Sequence, residues 1–185
     1  MPPDAHSRRA FLGICGAAAA ATALPACGGG GSASTSPRER DAALLNVALR
    51  LEHFAVAAYA DGRRLLRGSA RRTAAHFLEQ EREHVRRVTA IVRKLGLEPA
   101  RARSLEEYRR TFPALESGRD VLRFSVDLEN RVIRAYVDGL AHTADDRLRI
   151  LAAEIAATEA EQLVVLRREL GEDPLPTPFV TGTTT

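Results

Sequence analysis

The 185-residue chain carries 27 Lys+Arg against 24 Asp+Glu, a net charge of +3, with 45% hydrophobic and only 5% aromatic residues. That supplies the core of one ordinary domain with appendages, and its Ala- and Leu-rich apolar set, without runs of alternating β-branched residues, favours packed helices over a sheet. Every basic residue except Lys94 is arginine, but arginines and acids alternate along solvated faces, as in Arg82-Glu83 and Arg167-Arg168-Glu169, and no aromatic platform accompanies them, which argues against nucleic-acid binding.

The first residues read as an address. Ser7-Arg8-Arg9-Ala10-Phe11-Leu12 matches the twin-arginine export pattern. The alanine-rich apolar stretch from Phe11 to Ala26 is shorter than the roughly 20 residues a bilayer span needs, so it suits a signal segment. Leu24-Pro25-Ala26-Cys27 resembles a lipobox, in which Cys27 would become the lipidated N-terminus, although Pro25 departs from the usual small residue. Cleavage near Ala21-Thr22-Ala23 by an ordinary signal peptidase is the alternative. The expected location is the outer face of the cytoplasmic membrane, through the lipid anchor, or the periplasm. Twin-arginine substrates cross the membrane folded, a route suited to proteins loaded with a cofactor beforehand. Cys15 and Cys27 both fall in this segment, so the remainder can form neither a disulfide framework nor a thiolate metal site. Residues 28–38, rich in Gly and Ser, read as a flexible tether.

Residues 39–170 follow as two helical hairpins. Hydrophobic periodicity predicts helices near 39–67, 70–95, 118–142 and 144–170, with turns at Gly68-Ser69 and Thr143 and Leu-Gly stops at Leu95-Gly96 and Leu170-Gly171. The link 96–117 holds Pro99 and Pro113 around a short helix at Leu105 to Arg110. It is long enough to run back along a helix of about 39 Å. The architecture expected is an antiparallel four-helix bundle, two hairpins joined by one long crossover. The Pro- and Thr-rich tail 171–185 is expected to be disordered.

The halves repeat each other. Leu51-Glu52 through Asp61-Gly62 aligns with Leu128-Glu129 through Asp138-Gly139 at an offset of 77 residues, and Glu81-Arg82-Glu83-His84 aligns with Glu159-Ala160-Glu161-Gln162 at 78. Within this frame acids stand on greasy stripes. The second helix presents Phe77, Glu81, His84, Val88, Ile91 and Leu95, and the fourth Ile155, Glu159, Gln162, Leu166 and Leu170. Leu45, Glu52, Tyr59 and Leu66 share the first helix's stripe; Leu122, Glu129 and Tyr136 share the third's. An isolated buried carboxylate costs several kcal/mol unless compensated. Cations between four such groups are the simplest remedy, because two divalent ions neutralise four carboxylates. The alternative is a metal-free bundle whose polar residues hydrogen-bond one another.

Glu81 and His84, three residues apart, can both reach one ion. The pattern resembles the di-iron/di-manganese carboxylate proteins of the ferritin-like superfamily, which place one Glu on each of two helices and Glu-x-x-His on the other two. Glu52 and Glu129 match the single glutamates, Glu81 with His84 matches one Glu-x-x-His, and Glu159 matches the next glutamate. Gln162 stands where the second His is expected, and its amide is a poorer ligand. The resemblance implies one or two iron or manganese ions as cofactor and oxidation of ferrous iron or consumption of peroxide. A non-enzymatic stress or cell-envelope scaffold, without a functional dimetal site, is the other expectation. A homodimer is compatible with the fold, and a lipid-anchored storage cage is disfavoured. Tyr59 and Tyr136, about 10.5 Å along the helix from Glu52 and Glu129, suit core packing, with a hydrogen bond to the site as the alternative. His53 lies about 100° around the helix from Glu52 and is not expected to be a ligand. His76 and His142 read as surface residues, and His6 leaves with the signal. No Ser/His/Asp arrangement, phosphate loop or dinucleotide fingerprint is present.

Overall fold

A computed structural model of the chain describes residues 35–183. The twin-arginine pattern, Cys27 and most of the tether lie outside the described residues. Among the described residues five helices occur in order: α1 Pro37–Gly62, α2 Gly68–Lys94, α3 Leu105–Arg109, α4 Gly118–Leu140 and α5 Asp146–Leu170. No strand occurs among the described residues, as the composition leads one to expect.

Local sequence signals explain the helix ends. Ser36, Ser104 and Ser117 each cap the following helix through their side chain, with Glu39, Glu107 and Asp120 reaching back to complete a capping box. Asp145 caps α5 by accepting from the Arg147 amide. At the other end, Gly96 and Gly171 adopt φ of 77° and 73°, the left-handed conformation that closes a helix. Helix α1 stops five residues earlier than periodicity suggested. From Arg63 the chain tightens into successive turns, yet Leu66 remains buried, so the stripe continues beyond the helix.

The contacts give the topology. Helices α1 and α2 form one hairpin and α4 and α5 the other. The crossover runs back beside α1: Asn46 bonds Glu98 and Ala100, Phe54 meets Tyr108 and Phe112, and Asp61 meets Arg109. Helix α4 then lies antiparallel to α1, with Val121 beside Gly62 at one end and Asp41 accepting from the Ala144 amide at the other. Helices α2 and α5 are antiparallel too, from Ser69 opposite Glu169 to Arg87 opposite Glu154. Phe54, Phe112 and Phe124 meet between α1, the crossover and α4 at centroid distances of 5.2–6.1 Å.

All expected stripe residues of α1, α4 and α5 are buried. On α2 the stripe drifts. Val92 is fully buried where Ile91 was expected, because 3.6 residues per turn carries the inward face one position on. The segment 171–183 carries no helix, and Gly182 is buried against α4 at Asn130 and Arg134.

Asp61 ties the crossover to the bundle. Its side chain is buried and its Oδ1 accepts from Arg109 Nη2 at 2.7 Å, Arg109 Nε at 3.0 Å and Arg64 Nε at 3.2 Å. Both arginines are substantially exposed, which weakens the pairing below that of a dry ion pair. We predict that Asp61→Asn lowers stability by about 1–2 kcal/mol and speeds hydrogen exchange at the Tyr108 amide. Unchanged values in denaturant titration and exchange would refute the assigned role.

Candidate metal centre

Glu52 from α1, Glu81 and His84 from α2, Glu129 from α4, and Glu159 and Gln162 from α5 all point into the bundle. The four glutamates are 0% exposed, Gln162 1% and His84 6%, so the residue most open to solvent is the histidine. Each is held by its register: heptad spacing from apolar residues above and below leaves the side chain no other direction.

Four of the six converge. One ligand atom from each of Glu52, Glu81, His84 and Glu159 lies within 4.8 Å of the others. His84 Nδ1 stands 3.0 Å from Glu159 Oε1, 3.4 Å from Glu52 Oε2 and 3.6 Å from Glu81 Oε2. Even so, Nδ1, those three oxygens, Glu159 Oε2 and Glu129 Oε2 have no aligned hydrogen-bond partner. Natural interiors seldom tolerate such orphans without a reason.

Glu129 and Gln162 share the layer but are engaged differently. Tyr59 donates its hydroxyl to Glu129 Oε1. Gln162 Nε2 donates to Glu81 Oε1 at 2.7 Å. Tyr136 donates to Glu52 Oε1 at 2.5 Å. Each tyrosine therefore serves the glutamate of the opposite hairpin, not the one on its own helix. The packing role expected for Tyr59 holds too, since its ring meets Phe77 edge-on at 5.8 Å. The structure also gives both tyrosines the hydrogen bond that was the alternative to packing. Two antiparallel helices carrying Glu and Tyr at the same spacing bring each Tyr opposite the other's Glu, and that reciprocity was the available signal.

The other histidines stay apart. His53 Nε2 lies 3.1 Å from the Ala100 carbonyl oxygen, while His76 and His142 are exposed.

Burial, reinforced by Glu159 and Glu81, raises the carboxyls of Glu52 and Glu129 well above the ordinary range. Burial and then Glu81 bring Glu159 up to about 6. For His84, burial alone would favour the neutral ring, but the carboxylates of Glu159, Glu52 and Glu81 prevail and push it up to about 12. Both tyrosine phenols are raised by burial and then by the adjacent glutamate, which keeps them as donors.

A family described as a ferritin-like domain matches residues 40–172. The chain belongs to the ferritin-like domain family. Two solved structures share the fold of this ferritin-like protein. A conserved hypothetical protein from Mycobacterium tuberculosis has a TM-score of 0.64 and 21% identity, covering 70% of this chain and 96% of its own. A Dps mutant from Listeria innocua has a TM-score of 0.60 and 17% identity, covering 74% of this chain and 98% of its own. Among curated proteins nothing matches.

These shifts set a pH dependence for the metal-free ferritin-like protein. Glu159 titrates at about 6 when folded and near 4.5 when unfolded, so its contribution is full below 4.5 and lost as pH rises through 6. His84 also has a raised folded pKa, so its contribution is full below 6.5 and declines as pH climbs toward 12. Both have the same sign. The melting temperature of metal-free protein should therefore fall between about pH 5 and pH 8. Added manganese(II) should restore more at the higher pH, where it competes with fewer protons. A metal-free melting temperature that rises over this range would contradict the assignment.

Proposed function

We propose that this chain is an exported, lipid-anchored ferritin-like protein that binds divalent transition metal between Glu52, Glu81, His84 and Glu159 and uses iron or manganese for redox chemistry. The supporting observation is the convergence of hydrogen-bond-free carboxylate oxygens on His84 Nδ1 in a buried layer. A cation there would give each orphaned atom a partner and replace the proton that His84 otherwise holds. Carboxylate oxygens with one imidazole suit iron or manganese, while zinc is a competitor for the same donors. Bound iron or manganese would supply one-electron redox steps, toward ferrous iron or peroxide as substrate.

The chain's own residues have distinct parts. Glu52, Glu81, His84 and Glu159 bind. Tyr136 orients Glu52 through its hydroxyl, and Tyr59 fixes Glu129 beside the group. Buried apolar residues one turn from the ligands on the same helices, Leu49, Ile155 and Phe77, keep the layer dry, which would strengthen its interactions with a cation. Export and anchoring are supported by Ser7-Arg8-Arg9 and by Cys27 after a lipobox-like sequence.

Protein purified from cells supplied with iron and manganese should carry metal, and the double variant Glu81→Ala, Glu159→Ala should lose it. A variant with unchanged metal content would show that the ligands lie elsewhere. Wild-type protein that takes up no metal would leave the bundle a scaffold. Tyr136→Phe should keep the fold but weaken metal affinity by about 10–100-fold, because Glu52 loses the donor that aims it; equilibrium dialysis against a chelator measures this.

A further inference from the structure

The donors in this layer fall into two sets. The first, Glu52 Oε2, Glu81 Oε2, both Glu159 oxygens and His84 Nδ1, has no hydrogen-bond partner. The second is hydrogen-bonded at Gln162 Nε2 to Glu81 Oε1 at 2.7 Å and at Tyr59 to Glu129 Oε1, with Tyr59 within 3.4 Å of Gln162 Oε1, while Glu129 Oε2 stands without a partner. The amide orientation follows from chemistry, since a carboxylate oxygen needs a donor and only the NH2 end of Gln162 can give one. An amide N–H cannot ligate a cation, and it occupies the Glu81 oxygen not turned toward His84. Gln162 is thus more than a weak ligand: it closes one side of the site.

We propose that this centre holds a single metal ion per chain, and that Gln162 sets the count by keeping Glu81 Oε1 engaged. This rests on metal being bound by Glu52, Glu81, His84 and Glu159. Gln162 is 1% exposed and its partner Glu81 0%, so water cannot take over either end of the bond. A single ion would supply one-electron steps, so two-electron reduction of peroxide would call for a second chain or an external donor. Replacing the amide by a histidine removes the N–H bond, frees Glu81 Oε1 and adds a nitrogen three residues from Glu159, as His84 stands three from Glu81.

The test loads metal-free full-length chain with excess manganese(II), removes unbound ions and measures manganese per chain, together with the electron paramagnetic resonance spectrum. Wild type should bind one ion with the signal of an isolated manganese(II). Gln162→His should bind two, a twofold rise, with the signal altered by coupling between neighbouring ions. Should that variant fold poorly by circular dichroism, Gln162→Glu, which also lacks the donor and adds a carboxylate, should likewise reach two. Two ions in wild type would overturn the single-ion inference while leaving metal binding intact. A count that stays at one in every folded Gln162 variant would overturn the role of Gln162. No manganese in wild type would instead sink the proposed function itself.

Discussion

Four carboxylates share a volume from which water is excluded, and each must find positive charge or keep a proton. Desolvating a carboxylate costs several kcal/mol even after relaxation, and the mutual repulsion of Glu52, Glu81, Glu129 and Glu159 adds to it. Among the described residues Arg50, Arg82 and Arg86 are exposed, and the half-buried Arg131 lies over the Phe54 ring. The protein meets the constraint with the His84 proton, raised carboxyl pKa values and two phenols. Each of these is a substitute for a cation, which is why the same atoms are suited to hold one.

The tyrosines link this electrostatic problem to the fold. Tyr59 on α1 serves Glu129 on α4, and Tyr136 on α4 serves Glu52 on α1, so the two hairpins are joined through the layer that is most costly to bury. Such bonds are individually modest, but an unsatisfied buried acceptor is expensive, which makes the correct docking of the hairpins preferable to a slipped one. The crossover contributes from outside. Asp61 with Arg109 and the Phe54–Phe112–Phe124 group fix α1 against α4 at the height where the glutamates must meet.

The two Glu-x-x-His/Gln positions show how one side chain changes a site. His84 and Gln162 occupy equivalent places on α2 and α5, both buried and both facing carboxylates. The imidazole leaves Nδ1 directed at three carboxylate oxygens, whereas the amide spends its donor on Glu81. Equivalent helix positions thus yield one ring nitrogen without an aligned hydrogen bond and one amide engaged in one.

Helix order, the Leu-Gly stops and the inward stripe were legible in the sequence because they depend on contacts within a few residues and on a period of 3.6. So were Glu52, Glu81, His84, Glu129, Glu159 and Gln162 as buried polar residues, since a charged side chain in an apolar stripe has no other address. The drift of the α2 stripe from Ile91 to Val92, the early end of α1 and the placement of Gly182 against α4 were not legible, for each depends on a neighbouring element. Which oxygen faces which donor was hidden for the same reason. Tyr59 and Glu129 are 70 residues apart, Gln162 and Glu81 are 81, and no local pattern encodes a hydrogen bond across that distance. The sequence by itself determined that acids would be buried in a four-helix bundle. Only the docking of the hairpins decided which of their oxygens are left open to a cation, because a hydrogen bond's direction is set by the relative height and rotation of two packed helices.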